Sequence, residues 1–579
     1  MADKHARFPS LPKAETPTAK ALLAWGKIQK SGNICPCPTA PCGKGNRNLL
    51  SCFFILPDNH PMHHIRNTHK KLRLLLLLLL VLPQAWAQAK APADLQKLDA
   101  YYQQALQDWD VPGMAIAIVH NDSVIFARGY GVLNNKTGGK VDANTLFGIA
   151  SNSKAYTAAA LATLVDAGKI GWKDKVQQYV PYLQLYSPFV TENLTIEDLL
   201  CHRVGYQTFS GDLLWYNTTY SREEIIRRMR YLEPTYGFRD GYGYSNLMFI
   251  TAGEVIENVT GETWEGYIKE TFLQPLGMNR TYTSVNDLKG VHNVASPHGF
   301  DEKGKPYATT LTAWDSWNPA AGIFTSVTQQ AQWMRLQLHH GTYEGKRIFS
   351  EEASRNMWTV HNPFPVSKQA AAENPSTHFT GAGLGWFLSD YEGRRLVYHG
   401  GGHEGMNSRT VLVPEENLGI VILTNSMSSI MAPLASYTVD QFLGITNGRD
   451  WSRFKLDAEK AEKASAARAP KEEKHRRQKP AMDLAAYAGT YSSPLYGDAT
   501  VALKDGKLQF QLVPAPTLSG TLHPWRHDIF SLDWKNDYAL LHPTNVRFLV
   551  GEDGGIAGMR LDSDNPDFHF SELKFVKVK

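Results

Sequence analysis

The spacing of apolar residues changes along the chain, and each change marks an element. Residues 97–110, KLDAYYQQALQDWD, carry the spacing of an amphipathic helix. GMAIAIVHNDSVIFARGYGVLN then reads as two strands about a turn at His120-Asn121-Asp122. LFGIASNSKAYTAAALATLVDAGKI, residues 146–170, is a run suited to a helix. From 172 to 298 the pattern is mostly helix and loop, as in TIEDLLCHRVGY, SREEIIRRMRYL and SNLMFITAGEVIENVTGETWEGYIKETF. Strand-like segments return at 384–388, 395–399, 408–413 and 419–424, and a helix at 431–442 closes the unit.

Strands at both ends with helices between them predict an α+β fold. It consists of one antiparallel sheet built from both ends of the domain, flanked by helices and interrupted by a helical insertion. A cleft between sheet and insertion is the natural ligand site. Residues 90–450 are assigned to this domain. Residues 451–480 are charged, rich in Ala and Lys and poor in large apolar side chains, which predicts a helical or flexible linker. From 481 to 579 short strands alternate with Gly and Asp turns, as in YAGTYSSPLYGDATVALKDGKLQFQL, predicting a small all-β domain.

Composition alters this picture mainly at the N-terminus. THKKLRLLLLLLLVLPQAWAQA has a basic start, an apolar core at 74–82 and a small-x-small site at Ala85-Trp86-Ala87. It reads as a signal peptide over 62–87, too short to span a bilayer, and predicts export to the periplasm or the outside of the cell. Met62 is its natural start, so residues 1–61 read as a non-native or discarded extension. Four of the five cysteines (Cys35, Cys37, Cys42, Cys52) lie in that extension. Cys201 remains, without a partner for an internal disulfide, and reads as a core residue. A net charge of +4 over 579 residues gives no sign of a nucleic-acid partner.

Candidate chemistry starts at Ser151 and Lys154. Residues three apart share a helix face, so the two side chains can meet. A serine in the first turn lies where free N–H groups and the positive dipole end favour a developing anion. The same field and burial lower the pKa of a lysine there and let it activate the hydroxyl. The spacing alone is weak, because Ser571 and Lys574 repeat it in FHFSELKFVKVK, which alternates like a strand. The first copy is followed by Tyr244-Ser245-Asn246 ahead of a helix and by His399-Gly400-Gly401 at the end of a predicted strand. Two other sites, His339-His340-Gly341 and His403-Glu404-Gly405, share the third pattern, but His399 is favoured by its position. His399 and His403 are four apart, yet the glycines between them oppose a helix, so no metal site is assigned.

In this order SNSK, YSN and HGG, with NPAAGIFTSVTQQAQWM and GLGWFL, resemble the serine β-lactamase-like family. That family includes class C β-lactamases, D-aminopeptidases, D,D-carboxypeptidases and related esterases. The resemblance covers residues 95–446. It implies Ser151 as the nucleophile of an acyl-enzyme, Lys154 as its proton partner, and Tyr244 as general base and acid with a phenol pKa lowered by cationic neighbours. It further implies Asn246 as a partner of Lys154 or the substrate amide, and the backbone N–H groups of Ser151 and Gly402 as an oxyanion hole. His399 and Gly401 complete the substrate side. The C-terminal part resembles a β-rich domain of unknown role attached to such hydrolases. No cofactor is implied. Dedicated β-lactamases of this family carry lysine where this chain has His399, and a neutral histidine is a poorer anchor for a substrate carboxylate. The reading is therefore an exported serine hydrolase of amide, peptide or ester bonds in a small molecule or peptide, including peptidoglycan fragments. The alternatives are a class C-type β-lactamase and a catalytically silent binder of cell-wall fragments.

Overall fold

The computed structural model describes residues 93–301, 304–445, 448–468, 478–536 and 541–578. The extension and signal peptide expected at 1–61 and 62–87 lie outside the described residues. Among the described residues no helix is long and apolar enough to cross a membrane.

The described residues contain one large antiparallel sheet of nine strands. Its centre joins the two ends of the domain, because Gly113–His120 pairs with Leu418–Thr424, from Met114 opposite Thr424 to His120 opposite Leu418. The sheet runs outward from Leu418–Thr424 through Met406–Val413, Arg394–His403 and Phe387–Tyr391. On the other side, Ser123–Asn134 follows Gly113–His120. The predicted antiparallel sheet with helices on its faces is the observed one.

The central strand shows why the pattern folds this way. Side chains of a strand alternate between faces. Met114, Ile116 and Ile118 enter one buried cluster with Leu98, Tyr102 and Leu434 of the helices Leu95–Asp108 and Met431–Leu443. Ala115, Ala117 and Val119 enter the other, with the helix Ser153–Asp166 and the insertion. Both faces are covered, so the strand reads as continuously apolar rather than alternating.

Three local expectations change. The strand expected at 384–388 starts later, at Phe387–Tyr391, because Gly385 takes a left-handed φ of 73° against the helix that carries Lys154. The strand expected to end at His399 runs on through the glycines to His403, and the reversal falls at Glu404-Gly405. The second Ser-x-x-Lys copy is not a strand. Phe570–Glu572 forms a single 3-10 turn, and strand returns only at Phe575–Lys577.

The C-terminal strands close into a barrel of eight, in which Gly489–Ser493 meets both Gly497–Lys504 and Phe575–Lys577. The charged stretch before it opens as the helix Trp451–Arg468. Barrel and sheet domain belong to one compact unit. Their boundary is hydrogen-bonded: the Tyr220 hydroxyl donates to Tyr496 O at 2.6 Å, and Thr219 N to Pro514 O at 2.9 Å.

Candidate active site

Ser151 lies in a short 3-10 turn, Ala150–Asn152, directly before the helix Ser153–Asp166. Ala150 has φ of 46°, a left-handed conformation that an L-residue adopts only under constraint. The neighbouring strand supplies that constraint. Ser408 Oγ donates to Ile149 O at 2.6 Å and accepts from Asn152 Nδ2 at 2.7 Å. Gly401 packs so closely that a Cβ there would stand 2.2 Å from Ile149 O and 2.9 Å from Ser151 N. This close approach requires glycine at position 401, whereas a Cβ at Gly400 or Gly402 would meet nothing closer than 3.4 Å.

Lys154 is fully buried. Its ammonium donates to Ser151 Oγ at 3.1 Å, Asn246 Oδ1 at 2.7 Å and Ala320 O at 2.9 Å. Three donors thus meet three acceptors, which satisfies the group. Burial brings its pKa down to about 7, with the Asp212 carboxylate acting in the opposite direction. Asn246 is the first residue of the helix Asn246–Thr260, and its Nδ2 donates to Asp212 Oδ2 at 2.6 Å. Because the ammonium form of Lys154 can only donate, the amide turns its oxygen to Lys154 and its nitrogen to Asp212. Burial raises Asp212 to about 8, against the pull of Trp215, Asn246 and Lys154. Ser151, Lys154, Asn246 and Asp212 therefore form one continuous chain.

Tyr244 lies 4.8 Å below the Lys154 ammonium, measured to the ring centroid. Its phenol pKa is not lowered. Burial pushes it well above the usual value, and the hydrogen-bonding Ser151 hydroxyl offsets only part of the effect. The Tyr242 phenol and the Asp212 carboxyl add to the rise, so desolvation wins. His202 stacks on this ring at 4.3 Å and accepts from Ser245 N at 3.2 Å. Burial, then the charges of Lys154 and His399, hold His202 well below the ordinary histidine pKa.

His399 and Gly402 line the same cleft as Ser151, Tyr244 and Asn246, whereas Gly401 stands behind the nucleophile turn. Burial, then the charge of Lys154, lowers His399 to about 3, so its imidazole is neutral at pH 7. The rival histidines lie elsewhere: His403 stacks on Trp314 at 5.2 Å, and His339 Nε2 lies 3.2 Å from Asp122 Oδ1.

The cleft has a volume of about 360 Å³ and walls rich in aromatic side chains, including Phe209, Trp215, Trp317 and Phe387. No arginine or lysine is among its lining residues, but Glu404 and Asp567 are. Asp567 and Phe568 come from the barrel. Asn565 Oδ1 accepts from both their backbone N–H groups, at 2.9 and 3.0 Å, and the Phe568 ring packs 4.2 Å from Tyr216. Farther along, Glu572 accepts from Ser210 Oγ at 2.5 Å and Gly211 N at 2.9 Å, directly before Asp212. Sequence reasoning missed His202, Asp212, Asp567, Phe568 and Glu572. His202, Asp212, Asp567 and Phe568 sit in no motif, Glu572 falls inside the second Ser-x-x-Lys copy, and for the barrel residues nothing local marks a contact reaching across hundreds of positions.

Residues 98–441 match the family model described as Beta-lactamase, and the chain belongs to that family. Residues 473–577 match a domain of unknown function, DUF3471. The chain is 27% identical to unguisins hydrolase ungD' of Aspergillus campestris over 69% of this chain and 76% of that protein. It is 26% identical to Protein flp of Staphylococcus aureus, over 60% of this chain and 66% of that protein. The octameric penicillin-binding protein homologue from Pyrococcus abyssi superposes with a TM-score of 0.55 at 21% identity, covering 84% of this chain and all of that one, which reflects the fold.

Proposed function

We propose that the chain is a serine hydrolase that cleaves an amide, peptide or ester bond through an acyl-enzyme on Ser151. One observation carries the reading: a buried lysine with a pKa of about 7 donates to the hydroxyl of a serine held in a strained turn. A group poised near the working pH is the one suited to general-base catalysis. Ser151 Oγ attacks the carbonyl carbon while its proton passes to neutral Lys154. The backbone N–H groups of Ser151 and Gly402 receive the oxyanion, and each such donor is worth about two to three orders of magnitude in rate. Tyr244, kept protonated by burial, donates its proton to the leaving group as the C–N or C–O bond breaks, and Lys154 returns a proton to it. Water then adds to the acyl carbon and releases the acid.

The lining of the cleft favours this reading over a dedicated β-lactamase. Its histidine is neutral, no lysine or arginine lines the cleft, and its acidic residues are Asp212, Glu404 and Asp567. A substrate carboxylate finds no counter-ion, while a neutral or ammonium-bearing substrate does not need one.

Intact-mass measurement after exposure to a fluorophosphonate, and separately to a penicillin, tests the proposal. A single fluorophosphonate adduct, absent in Ser151→Ala, is expected. No adduct on wild-type protein would leave the silent binder as the better reading. Rapid penicillin turnover without a lasting adduct would favour the β-lactamase.

A further inference from the structure

Arg409 faces away from the cleft. It stands in register with Gly400 of the His399 strand, while its neighbour Ser408 reaches the nucleophile turn on the opposite face. Its guanidinium stacks on Tyr398, 4.9 Å from the ring centroid, and forms no ion pair with a described residue. Its Nε is sealed from solvent and has no hydrogen-bond partner among the described residues. Burial lowers its pKa, and a tyrosine is the group that opposes this. The residue as a whole is partly exposed, and a cation with so little hydration is ordinarily paired.

The carboxylates on the surrounding elements are committed elsewhere. Glu373 holds Lys455 at 2.5 Å, Asp390 holds His378 at 2.8 Å, and Asp440 accepts from Tyr391 and Trp451. What Arg409 does face is a cavity of about 180 Å³, lined also by Asn374, Ser389, Tyr398 and Ser436. The side chains of Asn374, Ser389 and Ser436 spend no hydrogen bond on a described residue. The cavity therefore offers the terminal nitrogens of one planar cation and three neutral polar groups able to donate.

We propose that this cavity binds a compact oxyanion, a carboxylate or phosphate group, with Arg409 as its counter-ion and Asn374, Ser389 and Ser436 as neutral donors. Guanidinium matches both oxyanions bidentately. The site lies behind the catalytic strand and does not depend on the function proposed for the cleft.

The test uses the full chain and two probes, sodium acetate and sodium phosphate, each against sodium chloride at equal ionic strength. A ligand that binds only the folded state raises the unfolding temperature saturably. Wild-type protein is expected to show a saturable rise with at least one probe, and calorimetry a matching Kd. Which probe binds more tightly separates a carboxylate from a phosphate source. Arg409→Met should unfold no earlier than wild type in chloride, because it removes an unpaired charge. Its affinity for the probe should be about tenfold or more weaker. Ser389→Leu, which fills the cavity and leaves Arg409 in place, should also lose the rise. No saturable rise in wild type, or an equal rise in Arg409→Met, would overturn the proposal.

Discussion

The sheet domain and the barrel meet at the same cleft but give it different things. The sheet domain supplies Ser151, Lys154, Asn246 and Asp212, linked through hydrogen bonds of 2.6 to 3.1 Å. The barrel supplies a wall, Asp567 and Phe568, and a prop, Glu572, which holds the Ser210-Gly211 turn leading into Asp212. Groups that move protons need fixed distances and shifted pKa values, and these come from rigid, buried elements. A wall needs only shape. A loop that joins two barrel strands and shapes its own backbone through Asn565 is enough for that.

If this division is correct, removing the proton partner has the largest effect. Lys154→Met should lower kcat/KM by about three orders of magnitude, within the range known for general acid–base groups. In the proposed mechanism the acting form is neutral Lys154, with a pKa of about 7, so wild-type kcat/KM should rise as pH climbs through 7 and level off above it. The variant should lose that acidic limb. Pre-steady-state acylation by a chromogenic ester across pH 5–9 checks both.

Phe568→Ala should act next and differently. Loss of the barrel's aromatic wall should raise KM by about tenfold with kcat nearly unchanged, the signature of lost uniform binding. A fall in kcat comparable to that of Lys154→Met would break the comparison and make the barrel part of the chemistry.

The smallest effect is expected at Glu572. Glu572→Gln keeps the shape but weakens the bonds to Ser210 and Gly211, so it should cost about 1–2 kcal/mol of stability by denaturant unfolding. Turnover should fall by a few-fold at most. A large loss of turnover with unchanged stability would show that the barrel tunes Asp212 directly, because the Glu572 charge is one of the influences raising that carboxyl.

The sequence by itself determined the sheet and where its halves lie, because continuous apolar runs such as Gly113–His120 and Leu418–Thr424 have no stable place except a doubly covered strand. It also determined which residues gather at the cleft from the three motifs, because motif spacing on a helix start and a strand end is a local property. What only the tertiary structure decided is how those residues behave. Tyr244 looked like a phenol made acidic by cations, and desolvation reversed its shift. The glycines after His399 looked like a turn, and they are strand because they pair with Asn407, Ser408 and Arg409, with Gly401 fitting where the nucleophile turn leaves no room for a Cβ. Asp212 and Glu572 carry no local signal, since one becomes meaningful only beside Asn246 and the other only across the interface. Burial and long-range contact set pKa values and side-chain partners, and neither is a property of a residue's neighbours along the chain.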